Sequence, residues 1–381
     1  MKKKLLAMAA TVATLPAAYA VDFKAGNWDL SLSGNANAFY TATNCSGDTV
    51  SGLAMGSKAL ACGGSSKSTT IGNGLLPNQL NFGAKTKEGG YDIAGVFGIS
   101  AAVASNSSLN QNSVVDVRTA YFTIGDSEMG TVKMGRDYGL FGANVIFNDM
   151  TLLGVGVASQ AFQSNRVAAG HIGAGYAYTG NYGQITYSTP KFSNVTVDVG
   201  LMSPVDPYLA SNTATDTKKG SSAGVQARAT YDAGQGIKLY VSNKSQDFQS
   251  ATKPYRMNAS EVGAILGSGP FGFLANYMTG NGLGVLSDGD QGDIKTSHTL
   301  LQATYKATSK LKLGLGVGKT TNDKQPGTDT LKSNDNTTVA AYYNLTPSFT
   351  LVSEVGTTKS KGFDGTQAKQ NNISVGGVFF Y

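Results

Sequence analysis

"LKLGLGVGKT", residues 311–320, admits two readings. Its end looks like the close of a phosphate-binding loop, with glycines before a Lys-Thr pair. Its beginning looks like a β-strand. Leu311, Leu313, Leu315 and Val317 fall on one parity, and Lys312, Gly314, Gly316 and Gly318 on the other. The phosphate-binding pattern G-x-x-x-x-G-K-[ST] needs a glycine where Leu313 stands, and an amphipathic helix after the Lys-Thr pair. "NDKQPGTD" follows instead. The strand reading therefore stands, Lys319 and Thr320 mark its end, and the three glycines form a face of small residues that leaves space. No nucleotide site is expected.

The same period of two recurs along the chain. Trp28, Leu30, Leu32, Ala36 and Ala38 oppose Asp29, Ser31, Ser33, Asn35 and Asn37. Val339, Ala341, Tyr343 and Leu345 share a face, and Phe349, Leu351 and Val355 oppose Glu354. Only 14% of residues are charged, against about a quarter in ordinary soluble chains. Beyond residue 20 there is no uninterrupted apolar run of the roughly 18–20 residues that a spanning helix needs, and mean hydropathy is −0.12. These features exclude a helical membrane protein and favour an all-β chain.

Connections alternate in length. Short turns fall at Gly89-Gly90, 126–130, 190–194, 233–236, 269–271, Ser309-Lys310 and 346–348, rich in Gly, Pro and Ser as hairpins require. Long polar loops fall near 44–73, 106–113, 138–170, 204–221, 250–256, 280–295, 321–336 and 359–370. The alternation predicts about 16 strands, short turns on one side and long loops on the other, as in a transmembrane antiparallel β-barrel. Only a closed sheet pairs every backbone group in lipid. Aromatics at strand ends, such as Tyr40, Phe271, Phe349 and Tyr381, suit interfacial girdles.

Residues 1–20, "MKKKLLAMAATVATLPAAYA", have a basic start, a short apolar stretch and Ala18-Tyr19-Ala20, the pattern of a cleaved signal peptide. The mature chain, 21–381, is expected outside the cytoplasm. Without Lys2, Lys3 and Lys4 its balance is 27 bases to 24 acids, too even to indicate nucleic acid. The two cysteines, Cys45 and Cys62, lie in a Gly/Ser-rich segment without metal-site spacing. In an oxidising compartment they are expected to form a disulfide.

The chain ends "SVGGVFFY" (374–381), in which Ser374, Gly376, Phe379 and Tyr381 fit the polar-x-Gly-x-x-aromatic-x-aromatic assembly signal of outer-membrane barrels; residues 371–381 are read as the closing strand. "DVRTAYFTIGDSEMGTVKMGRDYGLFG" (116–142) resembles the Gram-negative general diffusion porins, in which an arginine-bearing strand, a G-x-V-x-x-G-R strand and a long third loop follow in this order. The resemblance extends to "ITYSTPKFSN" (185–194) and the C-terminus. It implies a homotrimer of 16-stranded barrels, each narrowed by an inward-folded third loop. Two wall positions that are commonly basic in that family are neutral here, at Asn35 and within Asn78-Gln79-Leu80-Asn81.

Strand parity supplies pore-lining candidates. Arg118 shares a face with Asp116 and Ala120, opposite Val117 and Tyr121; Lys133 and Asp137 oppose Val132, Met134 and Arg136. Lys133 is thus expected in the lumen and Arg136 at a subunit interface or strand end. Gln226, Arg228, Lys238, Glu261 and Glu354 also take the polar parity. Loop 138–170 is unusually apolar, with Asp149 its only carboxylate and Arg166 at its exit. Asp149 is expected to face Arg118 across the constriction, giving a transverse field and weak anion selectivity.

The expected activity is passive diffusion of small hydrophilic solutes and ions across the Gram-negative outer membrane. Expected partners are outer-membrane lipids, lipopolysaccharide and the barrel assembly machinery. No cofactor, metal or nucleic acid is implied. A hydrolase would need a Ser-His-polar constellation, whereas His171 and His298 are the only histidines and read as wall residues. A sugar- or anion-specific channel would need an aromatic track or a lysine ladder, and the lumen-side aromatics, Tyr240 and Phe122, are isolated. A structural or adhesive barrel is the remaining alternative.

Overall fold

The computed structural model describes residues 20–103, 115–159, 168–207, 217–250, 253–324 and 330–381. All of the expected signal peptide but Ala20, and Arg166, lie outside the described residues. The barrel begins with β1 (Trp28–Gly47), β2 (Asn78–Glu88), β3 (Tyr91–Ala101) and β4 (Val115–Asp126). It continues through β5 (Gly130–Tyr138), β6 (Asn181–Ser188), β7 (Val195–Met202) and β8 (Gly224–Gly234). β9 (Ile237–Gln249), β10 (Tyr255–Ser268), β11 (Phe271–Asn281) and β12 (Lys295–Lys306) follow. β13 (Leu311–Asn322), β14 (Leu331–Thr346), β15 (Phe349–Gly362) and β16 (Gln367–Phe380) complete it.

Each strand is antiparallel to the next, and β16 returns to β1 from Ala368↔Gly47 to Phe380↔Asn35. This closed antiparallel barrel of 16 strands leaves no sheet edge, which is what a sheet in hydrocarbon requires. Three short segments, Val21–Ala25, Lys67–Gly72 and Lys218–Lys219, extend the ladders of β1 and β9. Apolar side chains of one parity, such as Leu313, Leu315, Val317, Val339 and Val355, point outward and exposed. Their neighbours Gly314, Gly316, Gly318 and Glu354 are buried inside. The chain's last residue clasps the first strand: Tyr381 and Gly34 exchange both backbone hydrogen bonds. Ser374 Oγ sits 3.2 Å from Thr41 Oγ1 in the wall. Phe379 packs at 5.8 Å on Tyr381.

One local parity differs from expectation. A bulge pairs Gly98 with Thr119 but Ile99 with Val117, so β4 changes phase at Arg118–Thr119. Tyr121 is therefore buried in the lumen, whereas Phe122, expected inside, is 50% exposed on the outer surface. Ala120 leaves the Arg118 face with it.

The hydrophobic core lies inside the barrel. Leu53 and Met55 from loop 1 (48–77), Phe141, Val145 and Tyr176 from loop 3 (139–180), and Leu283 and Val285 from loop 6 (282–294) pack together against Met278 and Leu300 of the wall. Loop 1 is tied down by the Cys45–Cys62 disulfide, which joins β1 to the short helix Lys58–Cys62.

Candidate functional site: the constriction loop and its seat

Loop 3 leaves β5 after Tyr138 and enters β6 at Asn181, so it runs ten residues beyond the expected end at 170. A loop buried in a barrel brings backbone N–H groups that no longer meet water and must find acceptors. The wall supplies them. Gln226 Oε1 accepts from Leu140 N at 2.8 Å and Phe141 N at 3.0 Å. Glu261 Oε2 accepts from Gly142 N at 3.0 Å. Gln302 Oε1 accepts from Met150 N at 2.6 Å. Glu354 Oε2 accepts from Val155 N at 2.7 Å and Gly156 N at 2.8 Å. Loop carbonyls are met in turn: Tyr342 donates to Met150 O at 2.6 Å, and Asn372 to Gly156 O at 3.1 Å. The carboxylates of Glu261 and Glu354, read from parity as wall charges, are anchors of this loop.

The glycines of 314–318 make the rest of the seat. A Cβ on Gly314 would lie 2.7 Å from Met150 Sδ, one on Gly316 2.8 Å from the His171 ring, and one on Gly318 1.9 Å from the Ala174 carbonyl oxygen. The wall of β13 is bare where the return limb of loop 3 lies on it.

Asp149 does not face Arg118. Its side chain is completely enclosed. It takes a hydrogen bond from Tyr176 Oη at 2.7 Å, caps the 3-10 helix Met150–Leu153 through Thr151 N at 2.9 Å, and lies 2.9 Å from His171 Nδ1. Burial works to raise the Asp149 carboxyl, but His171 and these donors hold it below the usual carboxylate range. His171 is accordingly a loop residue, not a wall residue as expected. The Nδ1 that meets Asp149 is also the atom 3.4 Å from Thr151 Oγ1, and among the described residues Nε2 has no hydrogen-bond partner. His298 is in the wall, bonded to Thr320 Oγ1 at 2.9 Å and Gly284 O at 3.0 Å.

The remaining candidates divide by depth. Arg118 pairs with Asp116 at 2.8 Å and donates to Tyr178 Oη of loop 3 at 3.2 Å. Lys133 pairs with Asp137 at 2.5 Å and lies over the Tyr121 ring at 5.3 Å. Arg228 is buried against Asp198, Nη2 to Oδ2 at 2.7 Å. Lys238, expected at the constriction, stands beside the short turn at 235–236, 3.5 Å from Asp232 and half exposed. Arg136 is on the outer surface. Two further inward lysines, Lys306 and Lys312, face each other across β12 and β13 near the short-turn end. Lys312 lies over the Tyr342 ring at 4.6 Å. Reading only strand parity missed Gln302, Tyr342 and Asn372 as anchors, and Lys306 and Lys312 as lumen bases. Their signal was present, since all five lie on the polar parity of their strands.

Solved structures share the architecture. The outer membrane channel DcaP of Acinetobacter baumannii superposes with a TM-score of 0.70 at 17% identity, covering 94% of this chain and 99% of that one. An anion-selective porin from Comamonas acidovorans gives 0.63 at 15%, over 93% and 100%. Salmonella typhi OmpF, in complex with daunomycin, gives 0.61 at 13%, over 95% and 100%. At these identities the likeness establishes the fold. No curated sequence matches the chain. Residues 6–362 do match the sequence model of the Gram-negative porins, and the chain belongs to that family.

Proposed function

We propose that this outer-membrane channel conducts small hydrophilic solutes and ions by passive diffusion, as a homotrimer, with weak preference for anions. The observation that carries the selectivity is the use of acids as anchors. Asp149, Glu261 and Glu354 are buried and each accepts hydrogen bonds from backbone N–H groups of loop 3. Of the lumen bases, Arg118, Lys133, Arg228 and Lys244 are paired to Asp116, Asp137, Asp198 and Asp288, whereas Lys306 and Lys312 have no carboxylate partner among the described residues. Rings and clusters of such charges bias which ion enters. One structural relative is described as an anion-selective porin and another, OmpT of Vibrio cholerae, as a trimer form, which is consistent with both parts of the proposal.

The test is a reversal potential across a planar bilayer in a tenfold KCl gradient. The expected sign is that of chloride preference, moving toward neutrality in Lys306→Gln/Lys312→Gln. Clear potassium preference in the unmodified protein would overturn the selectivity, and absence of any conductance would overturn the channel reading.

A further inference from the structure

Loop 1 and loop 3 meet at two side chains of the wall. Asn334 of β14 is completely buried. Its Nδ2 donates to Leu53 O of loop 1 at 3.0 Å and to Gly173 O of loop 3 at 2.9 Å. Its Oδ1 accepts from Met55 N at 3.1 Å. Gln370 of β16, equally buried, donates through Nε2 to Met55 O of loop 1 at 2.6 Å and to Ala158 O of loop 3 at 2.9 Å. A side-chain amide has two N–H donors, and each of these residues gives one to each loop. Among the described residues Gln370 Oε1 has no partner, although it is buried. The side chain forgoes its own acceptor so that its donors reach both carbonyls.

Loop 3 is held unevenly. Its outgoing limb bonds directly to the wall at 140–142, 150 and 155–156 through Gln226, Glu261, Gln302 and Glu354. Along the return limb, 168–176, the described wall residues that reach the backbone are Thr320, at Gly175 N, and Asn334, at Gly173 O. Loop 1 stands behind the second contact: a Cβ on Gly173 would lie 3.4 Å from the Met55 side chain. Loop 1 is itself fixed around 53–56. Gly56 N donates to Ser360 Oγ at 2.8 Å, and Ser57 caps the helix Lys58–Cys62 by accepting from Leu60 N at 3.3 Å. Cys62, at the helix end, is bonded to Cys45 of β1, and both cysteines are buried. The disulfide is thus a strut behind the segment that Asn334 and Gln370 hold. The exit of loop 1 also meets loop 3, with Leu75 N donating to Gly154 O at 2.8 Å. That end is held separately, by Gly74 N donating to Asn37 Oδ1 at 2.7 Å.

We propose that Asn334 and Gln370 are positioning residues of the constriction, and that the Cys45–Cys62 disulfide sets, through loop 1 and these two amides, how the return limb of loop 3 is held. Sharing is what couples the loops. While both carbonyls are in place, each amide is locked in one orientation; if loop 1 departs, the amide keeps one carbonyl, turns more freely and holds loop 3 less firmly. A bond near the long-loop mouth of the barrel therefore governs the steadiness of a constriction deeper in the lumen.

The test uses purified full-length protein, in detergent for hydrogen exchange and in planar bilayers for single-channel currents. Cys45→Ser/Cys62→Ser should speed exchange of amides 169–176 roughly tenfold. Asn334→Ala/Gln370→Ala should do the same. Combining the four substitutions should add little, because the route is already cut. Amides 140–142, bonded to Gln226 and Glu261, should exchange as in the unmodified protein in every variant. In the bilayer the unmodified protein should show one conductance level and the variants should step among sublevels. Faster exchange confined to loop 1, with 169–176 and the currents unchanged, would overturn the proposal. So would full additivity of the two pairs, which would give the disulfide another route, or an equal rise at 140–142, which would mean general loosening. The current recordings rest on the channel reading, whereas the exchange measurements do not, so a failure here is distinguishable from a failure of the diffusion reading.

Discussion

Gly318→Ala is the sharpest probe of how the third loop is held. The added Cβ would lie 1.9 Å from the Ala174 carbonyl oxygen, where ordinary contact begins near 3.4 Å, so about 1.5 Å must be found. β13 cannot supply it, because Gly318 is paired to Leu300 on one side and Asn336 on the other. The return limb of loop 3 must move instead. Two bonds then stretch beyond hydrogen-bond range: Gly175 N to Thr320 Oγ1, now 3.2 Å, and Asn334 Nδ2 to Gly173 O, now 2.9 Å. Overpacking at about 1–3 kcal/mol and two bonds at about 0.5–1.5 kcal/mol each put the loss at roughly 2–6 kcal/mol of loop docking. Gly314→Ala should cost far less, because its new Cβ is crowded by the flexible Met150 thioether and otherwise makes ordinary contacts with Thr304 and Tyr342. The assay pairs hydrogen exchange of amides 171–176 with single-channel conductance in planar bilayers. Gly318→Ala should exchange faster and conduct with lower, noisier steps, since the limb is pushed off the wall into the lumen. If Gly318→Ala matches the unmodified protein, or Gly314→Ala is the more disruptive, the seat does not work as described.

Glu354→Ala strands the N–H groups of Val155 and Gly156 and should loosen residues 155–156 by roughly 2–6 kcal/mol, read as exchange at those amides. Glu354→Gln, whose amide oxygen still accepts, should be milder. Burial pushes the Asp290 carboxyl up to about 7, aided by Asp288 and opposed by the N–H groups of Val285, Leu286 and Ser287. The folded loop then binds the proton more tightly than the unfolded chain, so its stability is greatest well below pH 7 and is lost as pH rises through 7. Exchange at 285–287, corrected for intrinsic rates, should slow from pH 8 to pH 5 in the unmodified protein and stay flat in Asp290→Asn. Reducing the Cys45–Cys62 bond, which closes a loop over a separation of 17 residues, should cost about 3 kcal/mol, seen as a lower denaturation midpoint and faster proteolysis of loop 1.

The barrel was legible because its rule is local. Alternation assigns each residue of a strand to lipid or lumen without knowledge of its neighbours, and turn composition then counts the strands. The bulge at Arg118–Thr119 broke that rule at one point. Nothing in "DVRTAYF" marks it, because it depends on how β3 and β4 fit past each other, and it moved Tyr121 and Phe122 to faces opposite to those expected. The interior of the barrel was less legible because its contacts join residues far apart in the chain, such as Val155 with Glu354. The apolar character of loop 3 did announce that it folds inward. The inward packing of Leu53–Met55 and Leu283–Leu286 was equally written in "GLAM" and "GLGVL", short apolar runs inside loops expected to be polar.

The misplacement of Asp149 follows from a general feature of plugged barrels. A strand-borne carboxylate on the lumen parity reads as a pore charge only if water reaches it. Once a loop is folded into the lumen, its unpaired backbone N–H groups compete for the same acceptors, and a carboxylate is the strongest acceptor available. Glu261 and Glu354 are drawn into that role, and Asp149 closes the loop on itself through Thr151, His171 and Tyr176. Basic side chains are drawn in less often: loop carbonyls are met by the neutral donors Tyr342, Asn334, Gln370 and Asn372, and the buried Lys244 is itself paired to Asp288 of loop 6 and lies over the Phe141 ring of loop 3. Inward folding therefore removes acids from the water path more readily than bases. On the proposed reading, a chain with 30 bases and 24 acids can thereby present a lumen more positive than that balance implies.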